Sequence, residues 1–187
     1  MFFFYKIFLN SFVHFIYLTI FITASQDVVT DEGLLKQYEI SHILNLAYGV
    51  INAFENDFIY LKLDILDTPE TDITQYFTEC FDFIDEGIKL GNCLVHCNAG
   101  VSRSTAICCG YIMKKQKIRY PEALALVREA RAFARPNDGF AKQLENYADV
   151  LMGQFDAPDS TQDAFLTKNK SEREAETAKI AGEFFSQ

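Results

Sequence analysis

The chain contains no tryptophan and only four prolines, and its 17 lysines and arginines are outnumbered by 26 aspartates and glutamates. At a formal net charge of −9 it has no cationic excess to set against a phosphate backbone, which argues against nucleic acid as a partner. Its five cysteines are odd in number and form neither a CxxC pair nor the cysteine and histidine spacing of a zinc site. They read as thiols in a reduced compartment, with no disulfide framework and no metal. No internal repeat is visible. What the chain has in quantity is apolar: 49% of its 187 residues are hydrophobic, enough to enclose the core of one domain and to exclude disorder for most of the length.

The two ends differ from the middle. Residues 1–26 hold one charged side chain, Lys6, and seven of the 18 phenylalanines. Within them Ile7 to Ala24 is an 18-residue run at the lower edge of what spans a bilayer, interrupted by Asn10, Ser11, His14, Thr19 and Thr23. Three readings compete for residues 1–24: a signal peptide or anchor, an apolar first strand behind an unusual start, and a buried helix. An anchor with Lys6 on the cytoplasmic side would leave the rest of the chain in the lumen, in conflict with reduced cysteines, so membrane contact is not favoured and a cytoplasmic protein is expected. Residues 154–187 are polar, with seven acids against four bases from Phe155 onward, and read as a solvated tail. The domain proper is expected over 25–153.

Inside it, strands and helices alternate. Val28, Val29, Leu34, Leu35 and Tyr38 suggest a short helix capped by Asp27 or Thr30. Residues 42–47, HILNLA, and 58–65, FIYLKLDI, read as strands, the second by its alternation. Ile73, Tyr76, Phe77, Cys80, Phe81, Ile84 and Ile88 recur at helical spacing behind Thr71 or Asp72, and Gly91 ends that helix. NCLVHC at 92–97 is a strand that runs into a turn; helices follow over STAICCGYIM, from Pro121, and over GFAKQLENYADVLM. The order predicts an α/β fold, a sheet flanked by helices.

The chemistry lies in HCNAGVSRS, residues 96–104, where a strand hands over to a helix. Asn98, Ala99, Gly100, Val101 and Ser102 are short enough for the backbone to curl and aim successive N–H groups at one anion, and the following helix adds its positive end. Arg103 closes the ring with a planar fork that grips two phosphate oxygens, a geometry lysine cannot copy. Cys97 sits at the bottom of this positive cup, which favours its nucleophilic thiolate. Ser104 is placed to hydrogen-bond the sulfur when it leaves. His96 reads as an orienting histidine rather than a base. Cys80, Cys93, Cys108 and Cys109 fall within apolar stripes and read as packing residues, although Cys93 shares the strand face of Cys97.

Together with HILNLAYGVINAF, LDTPETDI and PNDGF in order, the loop HCNAGVSRS resembles the cysteine-dependent protein phosphatases, and among them the small atypical dual-specificity phosphatases. The resemblance implies a single-domain phosphatase fold with a central sheet of about five strands, no cofactor, a phosphocysteine intermediate on Cys97, and a general acid on a loop, at Asp67. Of the two nearby aspartates, Asp64 lies within the alternating strand, whereas Asp67 follows it in a turn from which a side chain can reach over a phosphate. The chain departs from the family's Ala-Arg-Pro before the last helix, where it has Ala130, Arg131 and Ala132. Phosphorylated proteins, among them kinases of the MAP kinase pathway, are the implied partners. A noncatalytic phosphoprotein scaffold is the competing class, but it should have lost Cys97, Asp67 or Arg103. A phosphatase of phosphoinositides or RNA ends should carry cations in the loop, and NAGVS has none.

Overall fold

The computed structural model describes the backbone of residues 5–9, 18–22 and 28–156, and side chains over 29–153. The expectations for the remaining N-terminal positions and for the tail beyond 156 lie outside the described residues. Chain contacts divide the protein into Met1–Leu151 and Met152–Gln187. All that follows concerns the first of these.

The body of the sheet is three parallel strands: β3 (Ile40–Ala47) between β4 (Ile59–Ile65) and β5 (Asn92–His96). The backbone of β2 (Leu18–Ile22) pairs parallel to β5, and β1 (Tyr5–Leu9) pairs antiparallel to β2, giving the order β1-β2-β5-β3-β4. Of the three readings for residues 1–24, the backbone of β2 matches the apolar strand; the antiparallel strand before it carried no recognised signal. The helices are α1 (Glu32–Gln37), α2 (Phe77–Leu90), α3 (Arg103–Gln116), α4 (Tyr120–Ala130) and α5 (Asp138–Asp156).

Alternation along the strands sends side chains to two cores. Leu44, Leu46, Ile65, Cys93, Val95 and Cys97 enter the larger one with residues of α2, α3, α4 and α5. Ile43, Phe58 and Leu94 face the other way, onto Leu35 of α1. β4 is an edge strand, so its apolar face is only partly covered and Ile59 stays 53% exposed.

Two helix starts correct the sequence reading. Asp31, not Asp27 or Thr30, caps α1 by accepting from the Leu34 N–H at 2.9 Å. Asp72 does bond the Thr74 N–H at 3.0 Å, but it opens a 3-10 turn over Thr74–Tyr76 that precedes α2. Pro121 lies in the first turn of α4, and Glu122 accepts from the Arg119 N–H at 2.9 Å.

Candidate active site

β5 ends at His96, and α3 begins at Arg103, so residues 97–102 turn between the C-terminal end of a central strand and a helix N-terminus. Cys97 follows Cys93 and Val95 on the face of the larger core and is 1% exposed. Its Sγ stands 3.4 Å from the hydroxyl of fully buried Ser104, the second residue of α3.

The loop is shaped from outside. Arg131, buried at the end of α4, donates from Nε to the Gly100 carbonyl at 2.7 Å and from a terminal nitrogen to the Ala99 carbonyl at 3.2 Å. The Arg135 N–H donates to the Val101 carbonyl at 2.8 Å. Three successive carbonyls are thus drawn toward the segment between α4 and α5. In a trans peptide N–H and C=O oppose each other, so the N–H groups of Gly100, Val101 and Ser102 point the other way, into the cup. Gly100 meets this demand at φ 64°, a left-handed conformation that glycine adopts without strain. Asn98 is tied laterally, its side-chain amide donating to the Tyr48 carbonyl at 3.4 Å.

Arg103 is 7% exposed. One terminal nitrogen is committed to the Leu46 and Ile65 carbonyls, at 3.3 and 3.0 Å, which anchors the guanidinium to the ends of β3 and β4. Its Nε is a buried donor with no hydrogen-bond partner among the described residues. The nearest anion is Asp67, whose Oδ2 lies 3.5 Å away as an ion pair without hydrogen-bond geometry. A buried, unsatisfied donor on a fixed cation beside inward N–H groups is the electrostatics of an anion site.

Asp67 therefore joins the cup although 30 residues separate it from Cys97 in sequence. Its Oδ1 accepts from the Ser102 hydroxyl at 2.6 Å and from the Asn137 side-chain amide at 2.9 Å. Asp64 points elsewhere: it accepts from Lys62 and from the Gly49 N–H at 3.1 Å. The hydrogen bond from Lys62 holds its carboxyl below the ordinary range, which disfavours a proton there. The structure brings Cys97, Arg103, Asp67 and Ser104 together and leaves Asp64 out.

His96 is buried, and burial pushes its pKa down to about 4, against its hydrogen bond to the Cys97 backbone. It is neutral at pH 7, as an orienting rather than a proton-transferring residue would be. Burial also raises the thiols of Cys80, to about 12, and of Cys93, Cys108 and Cys109, which makes them inert packing residues. All five cysteines are free.

Sequence reasoning missed Arg131 and Asn137. Arg131 was visible as a departure from a turn pattern, not as the anchor of two loop carbonyls. Asn137 was visible only within PNDGF.

Comparison with known proteins agrees with this geometry. Residues 20–150 match the family described as dual specificity phosphatase, catalytic domain. The chain is 51% identical over 124 residues to mouse dual specificity protein phosphatase 19, covering 66% of this chain and 56% of that protein. It is 40% identical over 124 residues to dual specificity protein phosphatase 1B of Arabidopsis thaliana, covering 66% of this chain and 74% of the relative. The chain thus spans little more than half the length of the mouse protein. Among solved structures, a human tyrosine phosphatase-like serine/threonine/tyrosine-interacting protein superposes with TM-score 0.68 at 33% identity, over 71% of this chain and 93% of that one. A mouse putative dual specificity phosphatase complexed with zinc tungstate gives 0.67 at 28%, over 75% and 89%. With the family matched over most of its length, the chain belongs to the dual-specificity phosphatase catalytic-domain family.

Proposed function

We propose that this protein hydrolyses phosphate monoesters of tyrosine, serine and threonine in other proteins, through a phosphocysteine on Cys97. The observation that carries the reading is the meeting, at one strand-to-helix loop, of a buried cysteine beside Ser104, a buried unsatisfied Arg103 Nε and a carboxylate at Asp67.

In this mechanism the N–H groups of residues 98–102 and the Arg103 fork hold the phosphate oxygens. The Cys97 thiolate attacks phosphorus while Asp67, protonated, gives its proton to the departing oxygen. Ionised Asp67 then takes a proton from water, whose oxygen attacks phosphorus, and the sulfur leaves as thiolate toward the Ser104 hydroxyl. Phosphate is released and Asp67 is protonated again. No cofactor or metal enters the scheme. Residues 25–153 would form the catalytic unit, with 1–24 and 154–187 as appendages. A reduced, cytoplasmic setting suits a thiolate enzyme, and among the described residues no helix is long and apolar enough to cross a membrane.

Phosphorylated signalling proteins, including kinases of the MAP kinase pathway, are the proposed substrates. The loop's lack of cations and the acidic chain weigh against polyanionic lipids and RNA ends. A noncatalytic scaffold shares the fold, but it needs neither Asp67 nor Arg103. The test is turnover of phosphotyrosine and phosphothreonine peptides, with phosphoinositides alongside. Cys97→Ser is expected to abolish hydrolysis while keeping phosphopeptide binding, because a serine hydroxyl stays protonated in an otherwise unaltered cup. Turnover by Cys97→Ser within tenfold of the parent would overturn the mechanism.

A further inference from the structure

Asn137 stands immediately before α5 and uses every polar group it has. Its Oδ1 accepts from the Phe140 N–H at 2.9 Å, which caps the helix. Its backbone N–H donates to the Ser102 hydroxyl at 3.0 Å. Its side-chain NH2 donates to Asp67 Oδ1 at 2.9 Å. The cap fixes the amide's orientation: a flipped amide would set NH2 against a backbone N–H and oxygen against a carboxylate. Ser102 is fixed in the same way. Its oxygen receives the Asn137 N–H, so its own proton goes to Asp67 Oδ1, at 2.6 Å. Ser102 is the N-cap residue of α3, yet its side chain makes no capping bond there.

Oδ1 of Asp67 is therefore held by two directed donors, and Oδ2 is the oxygen turned to Arg103, 3.5 Å from its Nε. We propose that Asn137 is a positioning residue for the phosphatase reaction: with Ser102 it clamps Asp67 by Oδ1, so that Oδ2 carries the proton to the leaving oxygen of a phosphate gripped by Arg103. The inference rests on the assignment of Asp67 as the general acid. α5 adds a second tie to the same loop, since Gln143 accepts from the Ile73 N–H at 2.8 Å and donates to the Thr71 carbonyl at 2.9 Å. Among the described residues, however, the hydrogen bonds that set the rotation of the Asp67 carboxyl group come from Asn137 and Ser102, with the Arg103 ion pair on its other oxygen.

The test separates capping from positioning. Asn137→Ser keeps a good N-cap but is too short to reach Asp67; Asn137→Asp keeps the cap and the shape but turns a carboxylate toward Asp67. Both are measured in the full chain, with thermal midpoints alongside, on phosphothreonine peptide and on an aryl phosphate whose leaving group needs no proton. The expected result is a loss of about tenfold in kcat on the peptide with less than about twofold on the activated ester, within the hundredfold or more that a general acid contributes. In an Asp67→Asn background, Asn137→Ser should add nothing, since the clamp then has no proton to direct. Equal losses on both substrates, or an additive loss in the double variant, would overturn the inference. If Asp67→Asn shows leaving-group dependence and neither Asn137 variant does, the positioning role alone fails. If Asp67→Asn shows none, the acid assignment fails first and takes this inference with it.

Discussion

The two halves of the site are built by opposite means. The cup, residues 97–103, is contiguous in sequence: the strand and helix that bound it place its ends, and Arg131 and Arg135 turn the carbonyls between them. The acid loop, residues 66–73, has no regular element through Asp67 and is held by side chains some 70 positions away, Asn137 and Gln143. A contiguous motif shows its chemistry in the order of its residues, whereas a loop held at long range shows only that a carboxylate is present. The difference also separates the kinetic consequences: damage to the cup should hurt every substrate, and damage to the acid loop only those whose leaving group needs a proton.

The largest effect should come from breaking the cup's outside anchor. Arg131→Met leaves the Ala99 and Gly100 carbonyls without the donors that turn them outward. The buried Gly100 carbonyl so stranded costs roughly 1 to 3 kcal/mol, the part-buried Ala99 carbonyl less, and the N–H groups behind them lose their aim. Activity on phosphopeptide and on activated aryl phosphate should fall together, by about a hundredfold or more. A loss seen only with the peptide would place Arg131 on the acid's side of the comparison.

A smaller and selective effect is expected from Gly139→Ala. A Cβ at Gly139 would lie 2.1 Å from the Pro69 carbonyl oxygen and 2.4 Å from its Cα, backbone atoms of the acid loop itself. Either the loop or the start of α5 must move, at roughly 1 to 3 kcal/mol of stability. Displacing Asp67 should slow phosphothreonine peptide about tenfold and leave the activated ester nearly unchanged. Comparable losses on both substrates would show that the disturbance had spread into the cup.

The same contrast explains what the sequence made legible. The alternation at 58–65, the apolar runs at 42–47 and 92–97 and the helical stripe from Ile73 to Ile88 located three strands and α2, because burial dictates their period. Cys97, Arg103 and Ser104 could be named from their spacing, and Asp67 was preferred over Asp64 because it follows the strand instead of lying in it. Arg131, Asn137, Gly139 and Gln143 could not be given roles. Their partners include backbone carbonyls and N–H groups, which every residue carries and which leave no mark in composition. The cap of α1 was misplaced because Asp27, Thr30 and Asp31 are all competent caps, and only the turn's geometry selects Asp31.

The last effect lies in stability, not in turnover, and belongs to the cup's base. His96 binds a proton below its ordinary value of 6.5 when the chain is unfolded, but in the fold only below about 4, because burial disfavours the imidazolium. Between these values the unfolded state takes up the proton and the folded state does not. Stability from this group is therefore intact above about pH 6.5 and falls as the pH drops toward 4, by about 3 kcal/mol in all. Burial lowers His42 as well, in the same direction, so the parent protein should weaken by more than His96 alone explains. His96→Asn removes the titration while keeping a polar group of similar reach beside Cys97. It should cost stability at pH 7.5 through the packing of a fully buried imidazole that is lost, and that deficit should shrink as the pH falls toward 4. Urea denaturation of both proteins at pH 7.5, 6 and 4.5 reads the difference directly; a deficit that stays constant across the three would mean that His96 keeps its ordinary proton affinity in the fold.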